Sequence, residues 1–144
     1  MRASPFVFFA LLIAASGAIA IADSVTTVSS GQEAWKAQPD KSSMAVVYGD
    51  PSKPGFYVIR LKVPANWVAP PHYHPGRENV TILSGTVYFG VGNTIDKSKA
   101  TAFGAGSFAS IPAKTPHYAY TTSSGAEIQL DGIGPFGEVP IKQK

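Results

Sequence analysis

The residue types able to do metal chemistry in this chain are three histidines and a glutamate that follows two of them closely. His72, His74 and His117 are the only histidines in the sequence. Two of them fall in the run Pro71-His72-Tyr73-His74-Pro75-Gly76-Arg77-Glu78. In extended backbone, residues two apart point to one face, so His72 and His74 present their imidazoles side by side. Glu78 has the same parity, and a turn or bulge at Pro75-Gly76 can bring its carboxylate back toward the same point. Two imidazoles and a carboxylate suit iron(II), manganese, nickel or zinc, and a third imidazole from another strand would complete the set. His117, which opens a later strand just after Pro116, is the candidate for that third place.

Other chemistries have little to work with. The chain has no cysteine, which removes thiolate metal sites, disulfides and a cysteine nucleophile together. There is no Gly-x-Ser-x-Gly element, and no histidine is left over as a general base beside the metal candidates, so chemistry would centre on the ion. Three further side chains are candidates for lining a substrate pocket. Arg60 is either a carboxylate clamp inside a barrel or a solvent-facing charge. Trp67 and Tyr73 flank the histidine segment and either roof a pocket or pack in a core or dimer contact.

These residues need short, turn-punctuated elements to position them. Runs over 44–48, 56–63, 80–83, 86–91, 107–111, 117–122 and 126–130 are rich in β-branched or aromatic residues. Each is bounded by Gly, Pro, Asn or Ser, which predicts strands of a sandwich or barrel. Ser30-Gly31-Gln32-Glu33 has the form of a capping box, so residues 30–37 form a short helix or an extended arm. Tyr118 and Tyr120 have parity opposite to His117 and are expected to point away from the metal. Asn79-Val80-Thr81 matches a glycosylation sequon by chance, because it falls at the start of a strand beside Glu78.

The chain has 144 residues, with 44% hydrophobic and 15% charged positions, enough for one domain and too little charge for a disordered polyelectrolyte. Twelve Lys and Arg against nine Asp and Glu leave a net charge of +3. The bases are scattered singly, which argues against a nucleic-acid partner. At the start, Met1-Arg2, the apolar stretch Phe6 to Ala15 and the Ala-x-Ala triplets ending at Ala20 and Ala22 read as an export leader over 1–22. The protein is then expected in the periplasm or secreted, beginning near Ile21 or Asp23, with no membrane association after cleavage. The remaining chain divides into an N-terminal arm over 23–43, a barrel over 44–134 and a tail over 135–144.

The two histidine segments resemble the paired motifs of the cupin superfamily, Gly-x5-His-x-His-x3,4-Glu-x6-Gly and Gly-x5-Pro-x-Gly-x2-His-x3-Asn. Here the first runs Asn66-x5-His72-x-His74-x3-Glu78-x6-Gly85, and the second Gly106-x5-Pro112-x-Lys114-x2-His117-x3-Thr121. Asn66, Lys114 and Thr121 depart from the pattern, all at turn or capping positions. The resemblance implies an all-β fold, a cupin-like double-stranded β-helix or jelly-roll barrel. It also implies a divalent transition metal (Fe, Mn, Ni or Zn) in the barrel mouth, ligated by His72, His74, Glu78 and His117, and a homodimer. Such an open site makes the expected function metal-dependent catalysis on a small organic molecule, of oxygenase or isomerase type. The alternative is a non-catalytic module that binds a small molecule or the metal itself.

Overall fold

Strict alternation in the longest strands dictates a two-layer structure. In the stretch Ala126–Gly134, Ala126, Ile128, Leu130 and Gly132 are buried while their neighbours are less so, and Gly55–Val63 buries Tyr57, Ile59 and Val63 in the same way. A strand of that pattern covers a core with one face only, so a second sheet must close over it. A computed structural model describes residues 24–142 and shows that arrangement. The leader expected over residues 1–22 lies outside the described residues.

One antiparallel sheet has the order β1 (Lys36–Ala37), β2 (Ser43–Tyr48), β3 (Gly55–Val63), β10 (Ala126–Gly134), β5 (Glu78–Ser84) and β8 (Phe108–Ile111). The other has the order β11 (Val139–Pro140), β4 (Val68–Tyr73), β9 (His117–Tyr120), β6 (Thr86–Val91) and β7 (Thr101–Gly104). Pairing within both sheets is antiparallel, and the two sheets form a jelly-roll barrel. Tyr57, Ile59, Ile82, Val87, Ile128 and Leu130 are buried between them.

Glycine fixes the corner between β5 and β6. Gly85 has φ of 75°, and a Cβ there would collide with the carbonyl oxygen of Gly125, so the turn excludes every residue with a side chain. The two motif positions where glycine is replaced keep the left-handed backbone: Asn66 has φ of 56° and Lys114 of 61°. The loop shapes therefore survive the substitutions. Thr121 keeps the capping role through its hydroxyl, which accepts from the Trp67 N–H at 3.0 Å and donates to the Pro64 carbonyl at 2.7 Å.

Residues 30–37, open in the sequence to a short helix or an extended arm, form the arm. Glu33 accepts locally from the Gly31 N–H at 2.8 Å and reaches Arg60 at 2.6 Å. Lys36 and Ala37 pair with Met44 and Ser43 on β2, and this long-range pairing outweighs the local cap. The segment expected as a tail supplies β11, which pairs Val139 with Tyr73 and Pro140 with His72. Strand β7, too small and glycine-rich to stand out in sequence, is held by its register against β6. Tyr118 and Tyr120 do point away from the histidines. The Tyr118 hydroxyl donates to the Asp96 carbonyl at 2.6 Å, and Tyr120 stacks on Tyr88 at 5.1 Å. Asn79 is held in the sheet by Asp131 and Ser110 at 2.9 and 2.8 Å.

Candidate metal centre

The two motif segments meet because β4 and β9 are neighbours in the second sheet. Their register places His72 directly opposite His117, with ring centroids 4.3 Å apart. A register irregularity between Ala69 and His72 re-aims the end of β4. His74 follows one residue beyond the strand, 5.0 Å from the His72 ring and 5.3 Å from the His117 ring. The three histidines each offer a nitrogen, and these lie within 4.8 Å of one another.

Glu78 comes from the facing sheet as the first residue of β5. Its Oε1 lies 3.3 Å from Nε2 of His74 and its Oε2 3.5 Å from Nε2 of His117. The site therefore needs both layers: one supplies three imidazoles and the other the carboxylate. All four groups are withdrawn from solvent, with exposures of 3 to 6%.

Backbone carbonyls orient the rings. His72 Nδ1 is 2.6 Å from the Pro70 oxygen, His74 Nδ1 2.6 Å from the Gly137 oxygen and His117 Nδ1 2.9 Å from the Thr115 oxygen. A carbonyl only accepts, so each Nδ1 carries a proton, and in the neutral form of each ring Nε2 is the lone-pair atom turned inward. This is the outer-shell arrangement that fixes metal-binding imidazoles. Nε2 of His74 is buried with no hydrogen-bond partner, and a buried polar atom left unpaired costs about 1–3 kcal/mol. A cation among the three rings and Glu78 would satisfy it. The donor set thus fits a divalent transition metal.

Burial pulls His72 below the ordinary imidazole value, against the opposing pull of the Pro70 carbonyl and Glu138. Burial acts the same way on His117, but the protonated ring can donate to the Glu78 carboxylate and to the Thr115 carbonyl, and these overcome burial and leave His117 above the ordinary value.

The C-terminal segment adds residues that the motifs do not contain. Phe136 stacks on His74 at 5.2 Å and 26°, Gly137 anchors the same ring, and Glu138 lines the cavity beside the histidines. No motif spacing pointed to them; only the return of β11 onto β4 brings them there. Of the weaker candidates, Trp67 lines the cavity, with its Nε1–H donating to Asp40 at 2.7 Å. Arg60 lies outside it, on the face opposite Ile59 and Leu61, held by Glu33 at 2.6 Å and by Gln129 at 3.2 Å. Tyr73 is half-buried between the two histidines and does not line the cavity.

With that geometry in place, the comparisons with known proteins agree on the class. Residues 59–130 match the family described as cupin domain, half of the 144-residue chain; the chain belongs to that family. No curated protein matches it. Among solved structures it is similar to the polyketide cyclase RemF from Streptomyces resistomycificus, with a TM-score of 0.70 at 15% identity over 84% of this chain and 88% of that one. It is also similar to an RmlC-like cupin from Shewanella frigidimarina, with a TM-score of 0.62 at 12% identity over 78% and 92% of the two chains. The DMSP lyase DddQ from Ruegeria pomeroyi gives a TM-score of 0.62 at 16% identity, this chain being matched over 78% of its length and spanning 64% of the lyase. At these identities the likeness shows the barrel and leaves the reaction to be argued from the site.

Proposed function

We propose that this chain is an exported cupin enzyme that holds one divalent transition metal on His72, His74, His117 and Glu78 and transforms a small organic molecule by oxygenase- or isomerase-type chemistry. The observation that carries the reading is the convergence of three carbonyl-oriented imidazoles, one of them with a buried, unpartnered Nε2, on a carboxylate from the opposite sheet. Two structurally similar proteins, a polyketide cyclase and a DMSP lyase, act on organic molecules.

When bound, such an ion would supply Lewis acidity or, for iron or manganese, redox capacity. The protein's own residues supply the rest. The Nδ1 anchors hold the rings in one tautomer, and Phe136 and Phe89 wall the histidines, at 5.2 Å from His74 and 5.5 Å from His117. Among the described residues lining the cavity, Glu138 is the acid–base group outside both the histidine cluster and the Asp40–Trp67 contact. In this reading its exposed carboxylate takes a proton from a bound substrate and returns it.

A second reading, a non-catalytic binding module, is favoured by one observation. Apart from these groups and Gln38, Ser42 and Ser107, the walls of the cavity are apolar. Export is supported by the leader-like composition of residues 1–22. A homodimer is supported by an exposed apolar cluster in which Tyr48 meets Phe56 at 6.0 Å and Phe56 pairs with Ile133.

Metal analysis by mass spectrometry of protein purified from its native compartment without chelator tests the reading, alongside His72→Ala. Near-stoichiometric iron, manganese, nickel or zinc that disappears in the variant supports the enzyme. A folded barrel without metal in either protein leaves the binding module. The leader is read in the same sample: an N-terminus near Ile21 or Asp23 supports cleavage, and an intact Met1 in the exported protein supports a membrane anchor instead.

A further inference from the structure

We infer that the barrel interior is a chamber for a neutral, largely apolar organic molecule, alkyl or aromatic in body, which lies along the barrel with an oxygen-bearing end at the histidines, and that the chamber walls by themselves disfavour organic anions. This names the substrate class of the proposed reaction and rests on the reading that the histidine cluster is the reactive end.

The first observation is unfilled space. A small barrel ordinarily fills its interior with side chains. Here Ile59, Ile82, Val87, Ile128 and Leu130 are the core, and they also line a cavity of about 390 Å³. At about 30 Å³ for each water-sized group, that space admits a molecule of roughly a dozen heavy atoms. Walls of this kind offer water few partners, so an apolar body replaces it favourably.

The second observation is shape. The register of β4 on β9 sets His72 at one end, opposite His117, and Val68 at the other, opposite Tyr120. Trp67, just before Val68, and Asp40 line the cavity at the end remote from the histidines. Five residues of extended chain separate Trp67 from His72, up to about 16 Å. The lining thus runs from the histidines at one end of β4 to Trp67 and Asp40 at the other, with apolar core residues among them.

The third observation is charge. Among the described residues that line the cavity there is no lysine or arginine, while Asp40, Glu78 and Glu138 are all acidic. Sites that select carboxylates or phosphates carry guanidinium or ammonium groups. Arg60, the one arginine in a position to serve, is turned outward onto Glu33. In the metal-free protein an organic anion would leave water for walls that offer three carboxylates and no lysine or arginine; an ion on the histidines would be the one cation able to pair with it.

The test uses Trp67 as reporter. The chain has two tryptophans, and Trp35 lies outside the cavity with Lys62 at 4.1 Å over its ring, so Trp35→Phe leaves Trp67 alone. Fluorescence titrations with 1-naphthalenemethanol and 1-naphthoate compare one apolar body in neutral and anionic form, in metal-free protein. Saturable quenching by the alcohol, at least tenfold tighter than by the carboxylate, is the expected result. Ala69→Leu and Ala109→Leu fill the chamber from opposite sheets and should each weaken the alcohol at least tenfold. If neither variant folds, the parent titration alone decides.

Equal or tighter binding of naphthoate overturns the assigned class, and absence of quenching by either ligand in folded protein overturns the chamber. Zinc uptake, measured separately by mass spectrometry, keeps the two readings apart. Zinc bound without naphthalenemethanol removes the chamber and leaves the metal centre, whereas naphthalenemethanol bound without zinc does the reverse.

Discussion

At the scale of single residues, His72 and His117 differ in a way that would set the pH dependence of metal uptake. A proton and a metal ion compete for the same Nε2 lone pair. Burial holds His72 below the ordinary imidazole value and so leaves it neutral, whereas Glu78 holds His117 above that value. In the metal-free protein the raised His117 contributes stability that is present at low pH and is lost as the pH rises through its elevated value. With metal bound the sign reverses, because the ion requires the neutral ring. Zinc affinity should therefore fall as the pH drops through the raised His117 value, beginning above the pH at which a free imidazole protonates. Calorimetric titration between pH 8 and 5 checks this, and an affinity flat across that range would assign the metal to other ligands. Lys114 offers a second prediction. Its φ of 61° strains a side-chain-bearing residue by about 1–2 kcal/mol, while glycine loses about 0.5–1 kcal/mol through greater freedom in the unfolded chain. Lys114→Gly should therefore stabilise the fold by roughly 0.5–1 kcal/mol in urea unfolding. Asn66→Gly should change little, since asparagine tolerates the same region.

At the scale of elements, two connections bear most on the site. The Gly85 corner sends the chain from β5, which carries Glu78, to β6 in the other sheet. Gly85→Ala adds left-handed strain to a collision with the Gly125 backbone, and is expected to cost more than about 2 kcal/mol in denaturant unfolding. The return of the C-terminal segment over His74 is the second. Phe136 is partly buried, stacks on His74 and meets Tyr57 edge-on at 5.7 Å. Phe136→Ala should cost about 2 kcal/mol, less than the roughly 3–5 kcal/mol of a fully buried phenylalanine. It should also weaken zinc binding, because His74 loses the ring that holds its plane. Loss of stability with zinc affinity unchanged would show that Gly137 alone orients His74.

At the scale of the whole molecule, a ligand bound only by the folded state raises stability by mass action. Free zinc at a hundred times its dissociation constant adds about 2.7 kcal/mol, which moves the midpoint of thermal unfolding up by roughly 10 °C for a domain of this size. The rise should reverse on adding chelator and be absent from His74→Ala. A melting temperature indifferent to zinc would mean that His72, His74 and His117 do not act as one site.

Much of the molecule was legible in the sequence. Alternation in the stretches that become β3 and β10 revealed half-buried strands, and the spacing of His72, His74 and Glu78 with the later His117 marked the residues that the fold brings together. Both signals are local, because backbone periodicity assigns a face and residue type assigns a chemistry. Long-range packing decided the rest. Ser30 to Glu33 reads as a helix start, yet Glu33 is drawn to Arg60 across 27 positions, which also turns that arginine away from the interior. The tail carries Phe136, Gly137 and Glu138 to the histidines only because β11 pairs with β4. The empty space between the sheets corresponds to no pattern in the chain, since it is the difference between the volume two sheets enclose and the volume their inward side chains fill.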